Sequence, residues 1–141
     1  MVSKKVLYRA QVKATASRDT RAVSSDGVLD LTLTRPSELG GTNGRGTNPE
    51  QLFAACYAAS FLGIIKLVAR RDCIALPTDT EVDAIVGVGA TPRGFGIEVE
   101  LRISLPGLPR AEADVLVEKS HAVCPYSNAM RSKVSVRLLL A

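Results

Sequence analysis

The stretch Asn48-Pro49-Glu50-Gln51-Leu52-Phe53-Ala54-Ala55-Cys56-Tyr57-Ala58-Ala59-Ser60 opens the segment that decides the fold. Asn48 has a side-chain oxygen suited to a helix N-cap, and Pro49 has the fixed φ of a first helical position. Gln51 stands three residues after Asn48, where it completes a capping box. Helical character runs on to about Arg71, roughly 34 Å at 1.5 Å per residue. From Leu52 to Ile65 the helix is apolar or small on every face, including Ala54, Ala55, Ala58, Ala59 and Gly63. A helix with no polar face is predicted to be buried, and its small side chains admit close approach by another element. It is read as the central helix of the fold. Its uncharged run, Gln51 to Ile65, is shorter than the ~20 residues that cross a bilayer, so no membrane association is expected.

Working outward, Val6, Tyr8, Ala10, Val12 and Ala14 alternate with Leu7, Arg9, Gln11, Lys13 and Thr15, the period of a half-buried strand. Ser25-Asp26-Gly27 is a hairpin signal, because Asp-Gly accepts the positive φ angles of a tight primed turn. Leu29, Leu31 and Leu33 supply the returning strand. Arg35 to Thr47, with four glycines and a proline, is a long irregular loop of the kind that is often functional. Beyond the helix, Val82 to Val88 and Phe95 to Leu105 alternate as two more strands. Pro109 to Val123 forms a second helix with Ala111, Val115, Leu116 and Ala122 as its inner residues. A short helical turn follows Cys124-Pro125, and Val134 to Leu140 closes the chain as a strand. Antiparallel strands interleaved with two helices predict an α+β fold in one domain, residues 1–141.

The chain has 141 residues, 46% of them hydrophobic, and a net charge of +4 dispersed along its length. No clustered basic stripe is present, so nucleic-acid binding is not expected. The N-terminal residues lack the apolar core of a secretory leader. Three cysteines, Cys56, Cys73 and Cys124, with no C-x-x-C pair and a single histidine, argue against a disulfide framework and against a metal site. That set suits a reducing cytoplasm in which a thiol does redox chemistry. Composition leaves an enzyme and a binding module equally open.

Four features could carry chemistry. Cys124 at a helix entrance lies near unsatisfied N–H groups that favour a thiolate, although a free cysteine is also an ordinary small hydrophobe. Arg18 and Glu50 can form a guanidinium–carboxylate pair that orients a guanidinium beside a thiol. The simpler alternative is a solvated Arg18 and a Glu50 that favours the helix dipole. His121 is read as a hydrogen-bonded structural residue, and Cys73 at the end of the long helix as structural. Gly87-Val88-Gly89 and Gly94-Phe95-Gly96 match no phosphate-cradling loop.

Thr47 to Ala55, together with His121-Ala122-Val123-Cys124-Pro125-Tyr126-Ser127-Asn128-Ala129, resembles the organic hydroperoxide resistance branch of the Ohr/OsmC superfamily. Arg18-Asp19, Arg21 to Gly27, Gly94-Phe95-Gly96 and Leu105-Pro106-Gly107-Leu108 extend the likeness to nearly the whole chain. The resemblance implies an OsmC-like fold in an intertwined homodimer of cytoplasmic thiol peroxidases. It implies organic and lipid hydroperoxides as substrates, no bound cofactor, and dihydrolipoamide or lipoylated proteins as external reductant. It also implies roles: a peroxidatic cysteine on the long helix, Cys124 as the resolving cysteine, and Arg18 with Glu50 as the pair that activates the thiolate.

One departure changes the expectation. The family's pattern puts the peroxidatic cysteine ten residues after Glu50, where this chain has Ser60. A serine hydroxyl neither ionises near neutral pH nor forms a sulfenic acid, so the cycle is expected to stop before its first step. Cys56, one turn earlier, stands where the family usually has glycine. Three explanations are open. Ser60 is an engineered Cys→Ser change, the preferred reading; or the chain is a natural non-catalytic binder of hydrophobic ligands; or Cys56 has taken over the chemistry.

Overall fold

The computed structural model describes residues 5–16 and 19–141. The chain divides into two compact units, Met1–Leu52 and Phe53–Ala141.

In the first unit, β1 (Val12–Thr15), β2 (Thr20–Ser24) and β3 (Asp30–Leu33) form an antiparallel sheet in that order. Ala22, buried, is flanked across the sheet by Ala14 and Leu31. The alternation from Val6 predicts a longer first strand than the one that forms. Its partner β2 is five residues long, so pairing ends at Val12↔Ser24, and Val6, Leu7 and Tyr8 are exposed. β2 itself escaped the sequence reading, because its apolar residues are only Ala22 and Val23. The turn also differs from the tight primed form expected at Asp26-Gly27. Gly27 has φ +74°, but Asp26 does not share the positive φ. Asp26 instead accepts hydrogen bonds from the Ser24 hydroxyl (2.6 Å) and the Val28 N–H (3.0 Å), closing a longer loop.

The loop before the long helix is tied to the sheet. Thr34 N–H donates to Thr47 O at 2.8 Å, and Thr47 N–H donates to Thr32 O at 3.0 Å. Inside the loop, a Cβ on Gly41 would sit 1.9 Å from the Arg35 carbonyl oxygen, so only glycine fits there. The helix α1 (Pro49–Arg71) starts where the sequence signals it. Gln51 N–H donates to Asn48 Oδ1 at 2.7 Å, the predicted cap. The Gln51 side chain does not return to the Asn48 N–H; its Oε1 accepts from the Thr47 hydroxyl at 2.8 Å, which joins cap and loop.

In the second unit, β4 (Glu81–Thr91) and β5 (Gly94–Ser104) pair antiparallel over their full length. β6 (Ser135–Leu140) then joins β5 in parallel, from Glu98↔Ser135 to Ile103↔Leu140. This corrects the all-antiparallel expectation. The chain crosses over through α2 (Arg110–Val123) and α3 (Pro125–Met130) before β6, and a helical crossover returns a strand parallel to the one it left. One face of the sheet, with Val99, Leu101 and Ile103, joins Tyr57, Phe61, Ile65 and Leu116 in the core. On the opposite face Glu100 accepts from Arg137 (2.6 Å) and Arg102 (2.9 Å).

Two burial expectations need correction. α1 is buried only along Tyr57, Phe61, Ile65, Val68 and Ala69, while Ala55, Cys56, Ala59 and Gly63 are exposed. Apolar composition around a helix allows burial on every side, but one sheet and one helix pair cover only one stripe. α1 is also long and apolar enough to span a membrane by length and composition, although its uncharged run ends before Lys66. On α2 the inner residues are Ala113, Leu116, Val117 and Ser120; of the four expected only Leu116 is buried. The helix is rotated so that its stripe leads directly to Cys124. At its far end α1 stops at Cys73, whose φ of +55° is the left-handed conformation that commonly ends a helix.

Replacing Asn48 with Ala removes the cap acceptor and is expected to cost about 1 kcal/mol, or roughly 2–5 °C in Tm by thermal denaturation.

Candidate active site

The residues singled out in the sequence fall into three groups. Arg18 lies outside the described residues. Glu50 sits in the first turn of α1 in the first unit, and its Oε2 is buried without a hydrogen-bond partner among the described residues. A buried carboxylate oxygen of that kind is costly unless a donor meets it. Ser60 and Cys124 belong to the second unit. Ser60 is half-buried on α1, one residue before the fully buried Phe61. Cys124 is fully buried in the cluster that holds Tyr57 and Phe61.

Cys124 is set in place by its two flanking helices. Its N–H donates to Ser120 O at 2.9 Å and ends α2, while its carbonyl accepts from Asn128 N–H at 3.0 Å and starts α3. Pro125 at the first position of α3 needs no N–H partner there, so the helix can begin immediately after the thiol.

Two tyrosines that the sequence reading passed over organise the site. Tyr57, fully buried on α1, shares a 2.6 Å hydrogen bond with the Ser127 hydroxyl of α3. Its ring centroid lies 6.2 Å from that of Tyr126 and 6.4 Å from those of Phe53 and Phe61. Burial holds the Tyr57 phenol above its ordinary pKa, outweighing the Ser127 bond, which acts in the opposite direction. Interaction with Cys56, followed by burial, raises the pKa of the Tyr126 phenol. The signal available beforehand was the run Cys124-Pro125-Tyr126-Ser127, in which the adjacent Tyr126 and Ser127 both meet Tyr57 of α1.

His121 is half-buried near the end of α2, and its Nδ1 is buried with no partner among the described residues. Burial, and then the positive charge of Arg131, lower its pKa, so the ring is neutral at pH 7. The sequence reading expected a hydrogen-bonded histidine; among the described residues this nitrogen makes no such bond.

Comparison with known proteins follows the same lines. Residues 41–138 match the family model described as OsmC-like protein. The chain is 57% identical to an organic hydroperoxide resistance protein of Xanthomonas axonopodis pv. citri over 137 residues, 97% of this chain and 96% of that protein. This chain belongs to the OsmC-like family, in its organic hydroperoxide resistance branch. A solved structure of such a protein from Legionella pneumophila superposes with a TM-score of 0.91 at 46% identity, covering 97% of this chain and 99% of that one. Another, from Vibrio cholerae with captopril bound in one of the active sites, gives 0.91 at 38% identity, covering 99% and 95%. The α+β architecture of two three-stranded sheets and three helices is thus that of the OsmC-like family.

Two outcomes are expected from this geometry. Tyr57→Phe and Ser127→Ala each leave one buried hydroxyl unpaired and cost about 1–3 kcal/mol, while the double variant costs less than their sum in a denaturant double-mutant cycle. A neutral, buried His121 binds fewer protons than the unfolded chain once the pH falls below its ordinary 6.5. Folding stability should therefore decline as pH drops from there toward the carboxylate range. His121→Gln should flatten that slope in pH-dependent thermal denaturation.

Proposed function

We propose that this scaffold reduces organic hydroperoxides to alcohols through thiol chemistry, and that Ser60 disables the first step in this chain. The observation that carries the reading is Cys124, a fully buried thiol in the same core cluster as Tyr57 and Phe61, on either side of Ser60 along α1. Family membership supports the substrate class: several relatives of this chain are named for organic hydroperoxide resistance.

With sulfur at position 60, its thiolate attacks the O–O bond of the hydroperoxide. An S–O bond forms, the O–O bond breaks, and the alkoxide takes a proton and leaves as alcohol. The Cys124 thiol then displaces water from the sulfenic sulfur to make a disulfide. A dihydrolipoyl dithiol, free or on a protein, returns both sulfurs to thiols and is itself oxidised to the cyclic disulfide. Glu50, whose buried oxygen has no partner among the described residues, is suited to hold a guanidinium, and Arg18 is the proposed donor. With oxygen at position 60 the nucleophile is an un-ionised hydroxyl that has no sulfenic state. The protein acts as a cytoplasmic homodimer, in which a second copy covers apolar surface left open here, including Leu7, Tyr8 and Phe95.

The test is an assay of this protein and its Ser60→Cys variant with tert-butyl hydroperoxide and dihydrolipoamide. Ser60→Cys should turn over at least roughly 10²-fold faster. Negligible turnover by Ser60→Cys, together with a rise in Tm on adding an apolar ligand, would replace this reading with a binding protein.

A further inference from the structure

Tyr57 stands one turn before Ser60 on α1, and residues three apart on a helix share a face, about 5–6 Å from each other. Ser127 is the third residue of α3, one turn on from Cys124 at its N-cap. The 2.6 Å bond between the Tyr57 and Ser127 hydroxyls therefore links the two helices one turn away from positions 60 and 124. Tyr57 and Cys124 are 0% exposed and Ser127 is 1% exposed. At that depth neither hydroxyl has water as a substitute partner, so the bond holds its geometry. The Tyr57 ring is packed against Phe53, Phe61 and Tyr126, which keeps the phenol in place. The backbone carries the constraint on to the sulfur-bearing residue. Cys124 O accepts from Asn128 N–H at 3.0 Å and Pro125 has a fixed φ at the first helical position, so Cys124 and Ser127 move as one piece.

We propose that the Tyr57–Ser127 hydroxyl pair positions Cys124 for disulfide closure, holding it at the separation from position 60 that an oxidised sulfur there requires. The origin of that oxidised sulfur rests on the function proposed above; the role of the pair in placing Cys124 does not. A disulfide tolerates only Cα separations of about 4.4–6.8 Å, and a misplacement of about 1 Å can cost roughly 10²-fold in rate. A thiol enclosed as Cys124 is has no room to search for its partner through solvent. In the step, the Cys124 sulfur attacks the sulfenic sulfur at position 60 of a Ser60→Cys chain. An S–S bond forms and the S–O bond breaks, and the departing hydroxide takes the thiol proton and leaves as water. Tyr57 and Ser127 give and take no proton in this step; they are positioning residues. When closure is slow, the sulfenic acid waits for a second peroxide that carries it to the sulfinic acid, so the pair also sets resistance to over-oxidation.

The experiment gives Ser60→Cys one equivalent of cumene hydroperoxide with dimedone present. Peptide mass spectrometry then reads the ratio of dimedone-capped position 60 to the disulfide between positions 60 and 124. That ratio sets closure against a fixed competitor and does not depend on how fast the sulfenic acid forms. Tyr57→Phe or Ser127→Ala, each added to Ser60→Cys, should raise it at least about tenfold, and the two together no further than either alone. Ile103→Val, which loosens the buried core on β5, should leave it unchanged. An unchanged ratio in a folded Tyr57→Phe or Ser127→Ala variant would overturn the proposal, as would an equal rise with Ile103→Val. Diamide, which takes two electrons and two protons from a dithiol, separates the two failures. If Ser60→Cys consumes no hydroperoxide, the proposed function falls, and the rate of closure by diamide still decides this inference. Closure slowed about tenfold in either hydroxyl variant supports it, and equal closure overturns it.

Discussion

The buried hydroxyl pair between Tyr57 and Ser127 joins the long helix to the start of α3, and the placement of Cys124 at the entrance of α3 depends on that junction. Both groups are almost wholly removed from water, so each must find its partner or carry an unpaid desolvation cost. A bond of this kind fixes α3 relative to α1 in rotation as well as distance. It also fixes two nearby residues: Tyr126, whose ring lies against Tyr57, and Cys124, which closes α2 and opens α3.

Around this junction the same element type appears in different electrostatic settings. Cys124 is enclosed by apolar side chains, and Cys56 is open to solvent. Sulfur and oxygen alternate along one face of α1, and only sulfur can cycle through oxidation states near neutral pH. A hydroxyl and a thiol at position 60 differ little in volume and greatly in acidity. Glu50 shows a different case, a carboxylate whose buried oxygen has no hydrogen-bond partner among the described residues.

How far the sequence could be read follows from the range of the forces involved. The cap at Asn48, the span of α1, the hairpin of β4 and β5 and the entrance of α3 are set by residues within a few positions of each other, and they appear where the pattern puts them. β2 did not, because two apolar residues make no periodic signal and its pairing with both neighbours is what makes it a strand. The inner face of α2 was misread for a related reason. Ala111, Val115 and Ala122 are apolar but lie off the stripe that the sheet and α1 cover.

The candidate site divides in the same way. Its residue types and spacing, Glu50 and Ser60 on one helix and Cys124 before a proline, were visible as text, and so was the absence of sulfur at position 60. The parallel return of β6, the partial exposure of α1, and the meeting of Tyr57 with Ser127 and with Tyr126 were not. Tyr57 and Ser127 stand 70 positions apart, and no local propensity encodes such a pair. Sequence by itself determined which chemistry the side chains are capable of, because acidity and redox range belong to the residue. Only the tertiary structure decided which of those groups face each other and which face water, because burial and hydrogen bonding across that distance arise when the core closes.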